Sequence, residues 1–94
     1  LAIDENAGDG IFNRRVIERA NIKDIIDRPG KLVVNLCINP AGRVTFAEID
    51  HDRSTLRDPA LLQRTEDVAR GYRFERDYGA PYRQCGRLTF IIRK

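Results

Sequence analysis

Two cysteines, Cys37 and Cys85, and the triplet Asp50-His51-Asp52 with Ser54 just beyond it are the residues whose types invite chemistry in this chain. A four-ligand metal site asks for more than they offer, because His51 is the only histidine and would add just a third ligand to the two thiols. Carboxylates beside one histidine in a polar loop are ordinary surface chemistry, so neither a metal nor a cofactor is expected. Nucleophilic catalysis is not expected either, since His51 and Ser54 have no third partner or oxyanion arrangement at a recognisable spacing. What remains is the pairing of the two cysteines, and that depends on the elements that carry them.

Cys37 lies in the run Lys31 to Asp50, KLVVNLCINPAGRVTFAEID. Leu32, Val34, Leu36 and Ile38 alternate with Lys31, Val33, Asn35 and Cys37, the pattern of a half-buried strand. Pro40-Ala41-Gly42 is a tight connection with Gly42 free to take positive φ, so the run predicts a β-hairpin. On the return, Val44 and Phe46 keep the even parity while Ala47 and Ile49 switch it, which predicts a bulge near Phe46 or Ala47. Cys85 opens another alternating run, Cys85 to Lys94, with Leu88, Phe90 and Ile92 on one face. Between them Asp58-Pro59 is a helix start, and a helix to about Gly71 would place Leu61, Thr65, Val68 and Tyr72 on one stripe beside Leu62 and Ala69. Phe74 is expected to close the core before an irregular loop from Glu75 to Arg83.

The N-terminal part carries weaker signals. Residues 1–10 are small and acidic without periodicity and are expected to form a flexible tether, disordered or extended. Ile22 to Ile26 predicts a short helix or turn in an arm that begins at Ile11, and Arg28-Pro29-Gly30 stops it. The chain of 94 residues is 41% hydrophobic and 33% charged, which fits one small domain on a single core. No run reaches the about 18 apolar residues of a membrane span. The absence of any Met predicts a piece of a longer protein.

The net charge is +3, with basic residues gathered from Arg70 onward. Arg73, Arg76, Arg83 and Arg87 could form a rim for an acidic partner, although a solvated surface explains them as well. Tyr72, Phe74, Tyr78 and Tyr82 could stack bases. A better reading keeps Tyr72 and Phe74 in the core with the later tyrosines packing a loop, and no nucleic-acid partner is expected.

Assembled, these elements predict an α+β domain: a three-stranded antiparallel sheet in the order 2-1-3, one main helix packed on one face, and a short N-terminal helical arm. The crossover from the second strand through the helix sets the last strand antiparallel beside the first. Cys85 then comes near Cys37, both on the face away from the helix. A Cys37–Cys85 disulfide is expected, against the alternative of two separately buried thiols, and it would place the domain in an oxidising compartment. The last strand would be an edge, with outward backbone groups from Arg87 to Ile92 available as a template for an incoming strand.

The runs GKLVVNLCINPAGRVTFAEI, DPALLQRTEDVARGYRF and QCGRLTFIIRK together resemble the C-terminal domain of TonB-type energy transducers, over roughly Gly10 to Lys94. The first-strand cysteine and Gln84-Cys85-Gly86 are similar to the versions found in Bacteroidetes-like bacteria. The chain departs from the pattern where Phe12-Asn13 stand in place of a Tyr-Pro, and where Glu75-Arg76 follow Phe74 without a proline. The resemblance implies a non-enzymatic periplasmic domain, residues 11–94, whose parent chain is anchored in the inner membrane. It would capture an extended segment of a TonB-dependent outer-membrane transporter by strand addition at Arg87, Leu88, Thr89, Phe90, Ile91 and Ile92. Force would come from an ExbB/ExbD-like proton-driven motor of the inner membrane, engaged through a preceding region. The alternative is a structural envelope domain of the same fold that oligomerises without a transporter, and an exposed edge leaves a strand-swapped homodimer open.

Overall fold

A computed structural model describes residues 1–9 and 14–94. In chain order the elements are β1 (Ala2–Asp9), β2 (Val16–Glu18), a 3-10 turn (Ile22–Asp24), β3 (Gly30–Ile38), β4 (Val44–Ile49), α1 (Pro59–Arg70), β5 (Arg73–Phe74) and β6 (Gln84–Arg93). Among the described residues they form a four-stranded antiparallel sheet in the order β1-β6-β3-β4 and a two-stranded sheet of β2 and β5. The α+β class holds, but the main sheet does not have three strands. The expected order 2-1-3 is present as β4-β3-β6, and β1 is added on the far side of β6.

The hairpin closes as its sequence requires. The Asn39 carbonyl accepts the Gly42 N–H at 2.9 Å, and the Asn39 side chain accepts the Arg43 N–H at 3.0 Å. Gly42 sits at φ +85°, and a Cβ there would lie 1.9 Å from the Phe74 carbonyl oxygen, so both the turn and the close approach of β5 exclude a side chain. The bulge falls earlier than Phe46: Cys37 pairs with Phe46 and Ile38 with Val44, which leaves Thr45 as the extra residue. That shift turns Phe46 to the helix-free face, 40% exposed, while Ala47 and Ile49 face the core.

α1 begins as predicted, with Pro59 in its first turn and the Asp58 carboxylate accepting the Ala60 N–H at 3.1 Å. Its buried residues Leu61, Leu62, Thr65 and Ala69 lie over β4 and β3. Leu32, Val34, Leu36 and Ile38 of β3 and Leu88, Phe90 and Ile92 of β6 meet Tyr72, Phe74 and Ile22 in one core. The turn at Ile22–Asp24 lies where a short helix or turn was expected, capped by the Asn21 side chain. The strand Val16–Glu18 was not expected. The departure at Phe12-Asn13 lies outside the described residues.

Arg14 fixes the arm to this body. It is buried, and its guanidinium donates to the Glu75 carbonyl at 2.7 Å, the Gln84 side-chain oxygen at 2.7 Å, the Asn39 carbonyl at 3.0 Å and the Pro40 carbonyl at 3.2 Å. One side chain thus ties the hairpin turn, the segment after β5 and the first residue of β6.

Candidate functional site

The direction of the backbone groups on β6 follows from the ladder. The Asp50 N–H donates to the Val33 carbonyl at 2.8 Å, which makes Val34 and Ile49 a non-hydrogen-bonded pair of β3 and β4. Val34 therefore turns its main-chain groups to β6, where it pairs with Leu88. By the same alternation Leu88, Phe90 and Ile92 bond toward β3, and Arg87, Thr89, Ile91 and Arg93 turn their N–H and C=O outward. Of the six residues expected to bind a strand, Leu88, Phe90 and Ile92 also have buried side chains. Only Arg87, Thr89 and Ile91 direct main-chain groups to the outer side.

That outer side is not open. β1 lies along it, with Ala2 opposite Arg93, Asp4 opposite Ile91 and Asn6 opposite Thr89, and the register becomes irregular between Asn6 and Asp9. β6 is thus an interior strand, contrary to the edge expected from the sequence. The cause is in the composition of β1: Ile3 is its one bulky aliphatic residue, so the segment shows no period. Its extended form comes from pairing with β6.

Beyond that pairing, β1 is held through side chains. Ile3 packs against the core. The hydroxyl of Tyr72, a residue only 1% exposed, donates to the Glu5 carboxylate at 2.5 Å. Burial first, and the hydrogen bond to Glu5 second, push the Tyr72 phenol far above its usual range, so at neutral pH it is a donor. The Arg19 guanidinium also meets Glu5, at 3.0 Å. On the opposite face Arg93 pairs with Asp4 at 2.8 Å, an exposed contact of little weight. A cleft of about 330 Å³ opens beside these contacts, lined by Ile3, Glu5, Arg19, Ile22, Tyr72 and Phe90 among others.

The other margin of the sheet is closed differently. Ile49 and Ala47 of β4 turn their backbone groups away from β3, and α1 covers them: the Glu66 carboxylate accepts the Ile49 N–H at 3.0 Å, and Arg70 donates to the Ala47 carbonyl at 3.1 Å. Side chains capping an edge in this way deny it to a foreign strand.

Cys37 and Cys85 form a disulfide, with Cα atoms 4.0 Å apart at a position where β3 and β6 pair directly. It lies on the helix-free face, as expected. Asp50 and Ser54 act in the scaffold. The Ser54 hydroxyl accepts the Val33 N–H at 2.9 Å, and Asp50 accepts from Arg53 and Asn35. Burial works against the Asp50 charge, but these donors outweigh it and hold its carboxyl below the usual range. Among the described residues no group of three His, Cys, Asp or Glu side chains is placed to hold a metal, and no helix is long and apolar enough to cross a membrane.

The expected basic rim is partly drawn into the fold. Arg73 donates to the Arg70 and Tyr72 carbonyls, and Arg83 lies 5.9 Å over the Phe46 ring. Tyr72 and Phe74 are core, whereas Tyr78 and Tyr82 do not pack their loop and are 73% and 88% exposed. The sequence reading missed Glu5, Arg19 and Arg14. The sequence held no signal for them, since Ile3 is the one bulky aliphatic residue of β1 and their partners are distant in the chain.

No family model matches the chain, and neither a curated protein nor a solved structure matches it.

Proposed function

We propose that this domain captures an extended segment of another protein by main-chain pairing on the outer side of β6, as a periplasmic module of a TonB-type energy transducer. The partner in that reading is a TonB-dependent outer-membrane transporter, and the load comes from an ExbB/ExbD-like inner-membrane motor. The observation that carries it is the pairing of β1 with β6. A segment with almost no strand character of its own is held extended along Arg87 to Arg93, so this side of the sheet takes up an added strand through main-chain bonds. The capped β4 margin leaves the β1 side as the place for addition. The disulfide fits an oxidising compartment such as the periplasm.

The test is titration with peptides from the periplasmic ends of transporters, followed through backbone amides by NMR. Shifts are expected along residues 2–6 and 87–93. Thr89→Pro removes an outward N–H and is expected to abolish these shifts with the core intact, because the Thr89 amide does not face β3. Saturating peptide that leaves residues 87–93 unmoved overturns the proposal.

A further inference from the structure

The contacts of β1 describe the strand that would replace it. Ile3 and Glu5 are on the core side of β1, opposite Ile92 and Phe90. The Tyr72 hydroxyl, on a buried side chain, depends on the Glu5 carboxylate for its acceptor, and the Arg19 cation faces the same group. Were another strand with no acceptor at that position to take the place of β1, the Tyr72 hydroxyl would be covered without a partner, while the half-exposed Arg19 would lose its ion pair. A site built to hydrogen-bond one group discriminates strongly against strands that lack it, because its own polar groups are then left unpaired.

We infer that β1 is an in-cis occupant of the strand-binding groove, and that the partner strand displacing it carries an aliphatic residue followed two positions later by a carboxylate, which takes the Tyr72 hydroxyl and Arg19. This rests on the strand-capture reading and adds to it the chemistry of the partner. The exchange has a natural direction. Asp9 of β1 pairs near Arg87, at the end of β6 where Arg14 is locked to Gln84, while Ala2 lies against Arg93 at the other end. Opening from the Ala2 end exposes the Tyr72 and Arg19 donors while the Asp9 end stays close to the locked arm. An incoming strand then competes with β1, and its apparent affinity is lowered by the fraction of time β1 is bound.

The experiment uses the full chain and three probe peptides: the Ala2 to Ala7 sequence, the same peptide with Gln at the Glu5 position, and the same peptide with Asp at the Ile3 position. Each is titrated by amide NMR into the wild-type chain and into Glu5→Gln and Tyr72→Phe variants. Glu5→Gln weakens the hold of β1, so the carboxylate peptide is expected to bind that variant about tenfold more tightly than wild type. The same peptide should outbind its Gln version by about tenfold, and Tyr72→Phe should remove most of that preference. The peptide with Asp at the Ile3 position should bind least. Equal binding of the Glu and Gln peptides, with shifts still at residues 87–93, overturns the inference and leaves strand capture standing. So do transporter segments that bind where all three probes fail. Binding that leaves the β1–β6 amides protected overturns the displacement, and dimerisation of the Glu5→Gln chain assigns the groove to a second copy instead. If neither the probes nor transporter segments move residues 87–93 in any variant, the inference and the function it rests on fall together.

Discussion

Arg14 carries a buried charge whose four acceptors are three main-chain carbonyls and one amide oxygen. Its planar fork satisfies groups of the hairpin turn, of the segment after β5 and of the first residue of β6 at once, which an ammonium on a flexible stem does not reproduce. Arg14→Ala leaves those part-buried acceptors without their donor and is expected to destabilise the domain by about 3 kcal/mol. Arg14→Lys should recover less than half of that, read as the midpoint of urea unfolding. A lysine variant as stable as wild type would mean that charge alone, not the geometry of the fork, holds the arm. Sequence offered no means of telling Arg14 from Arg15, whose side chain is 84% exposed and pairs with Glu75. The distinction comes from where the chain enters β2, a strand too short to leave a period. Glu5 was hidden for the same reason, because its role depends on a tyrosine distant in the chain.

At the level of elements, β4, β6 and α1 were legible because each buries one face, and burial imposes a period on the sequence; β3 buries Val33 and Cys37 on its second face as well, and Lys31 and Asn35 on that face keep its alternation visible. β2 and β5 are too short for that. β1 is held by backbone bonds to β6 and by Ile3 and Glu5 contacts with residues distant in the chain, none of which leaves a period, so the edge inferred for β6 was already filled. The same accounting explains the Thr45 bulge: parity revealed that a shift occurs before Ala47, but not which residue is extra. β6 and β4 differ in how their outer sides are covered, β6 by the strand β1 and β4 by side chains of α1. Replacing Glu66 and Arg70 together with alanine frees the Ile49 N–H and the Ala47 carbonyl. The expected result is a loss of about 1–2 kcal/mol and concentration-dependent self-association in sedimentation, since an uncapped edge is a template for pairing. Asp67→Ala, which leaves both backbone contacts in place, should stay monomeric. A double variant that also stays monomeric would show that the β4 margin is protected by something other than these two side chains.

Across the whole molecule the fastenings are uneven. The Cys37–Cys85 bridge, the Arg14 fork and the contact of Gly42 with Phe74 gather around the hairpin turn and the start of β6. The opposite end of β6 meets the start of β1. The bridge spans a separation of 48 residues, and closing a loop of that size restricts the unfolded chain by up to about 4 kcal/mol. Its effect therefore belongs to global unfolding, whereas β1 opens locally at the other end of β6 without passing the bridge. Reduction, or the paired substitution Cys37→Ala with Cys85→Ala, is expected to lower the unfolding midpoint with the fold retained. Hydrogen exchange separates the two processes, because the most protected amides of β3 report global unfolding while those of β1 report its own release. The β3 amides should exchange up to about a thousandfold faster without the bridge, and the β1 amides at an unchanged rate. Equal acceleration in both strands would show that β1 opens only with the whole domain, which would leave it no independent exchange with a partner strand.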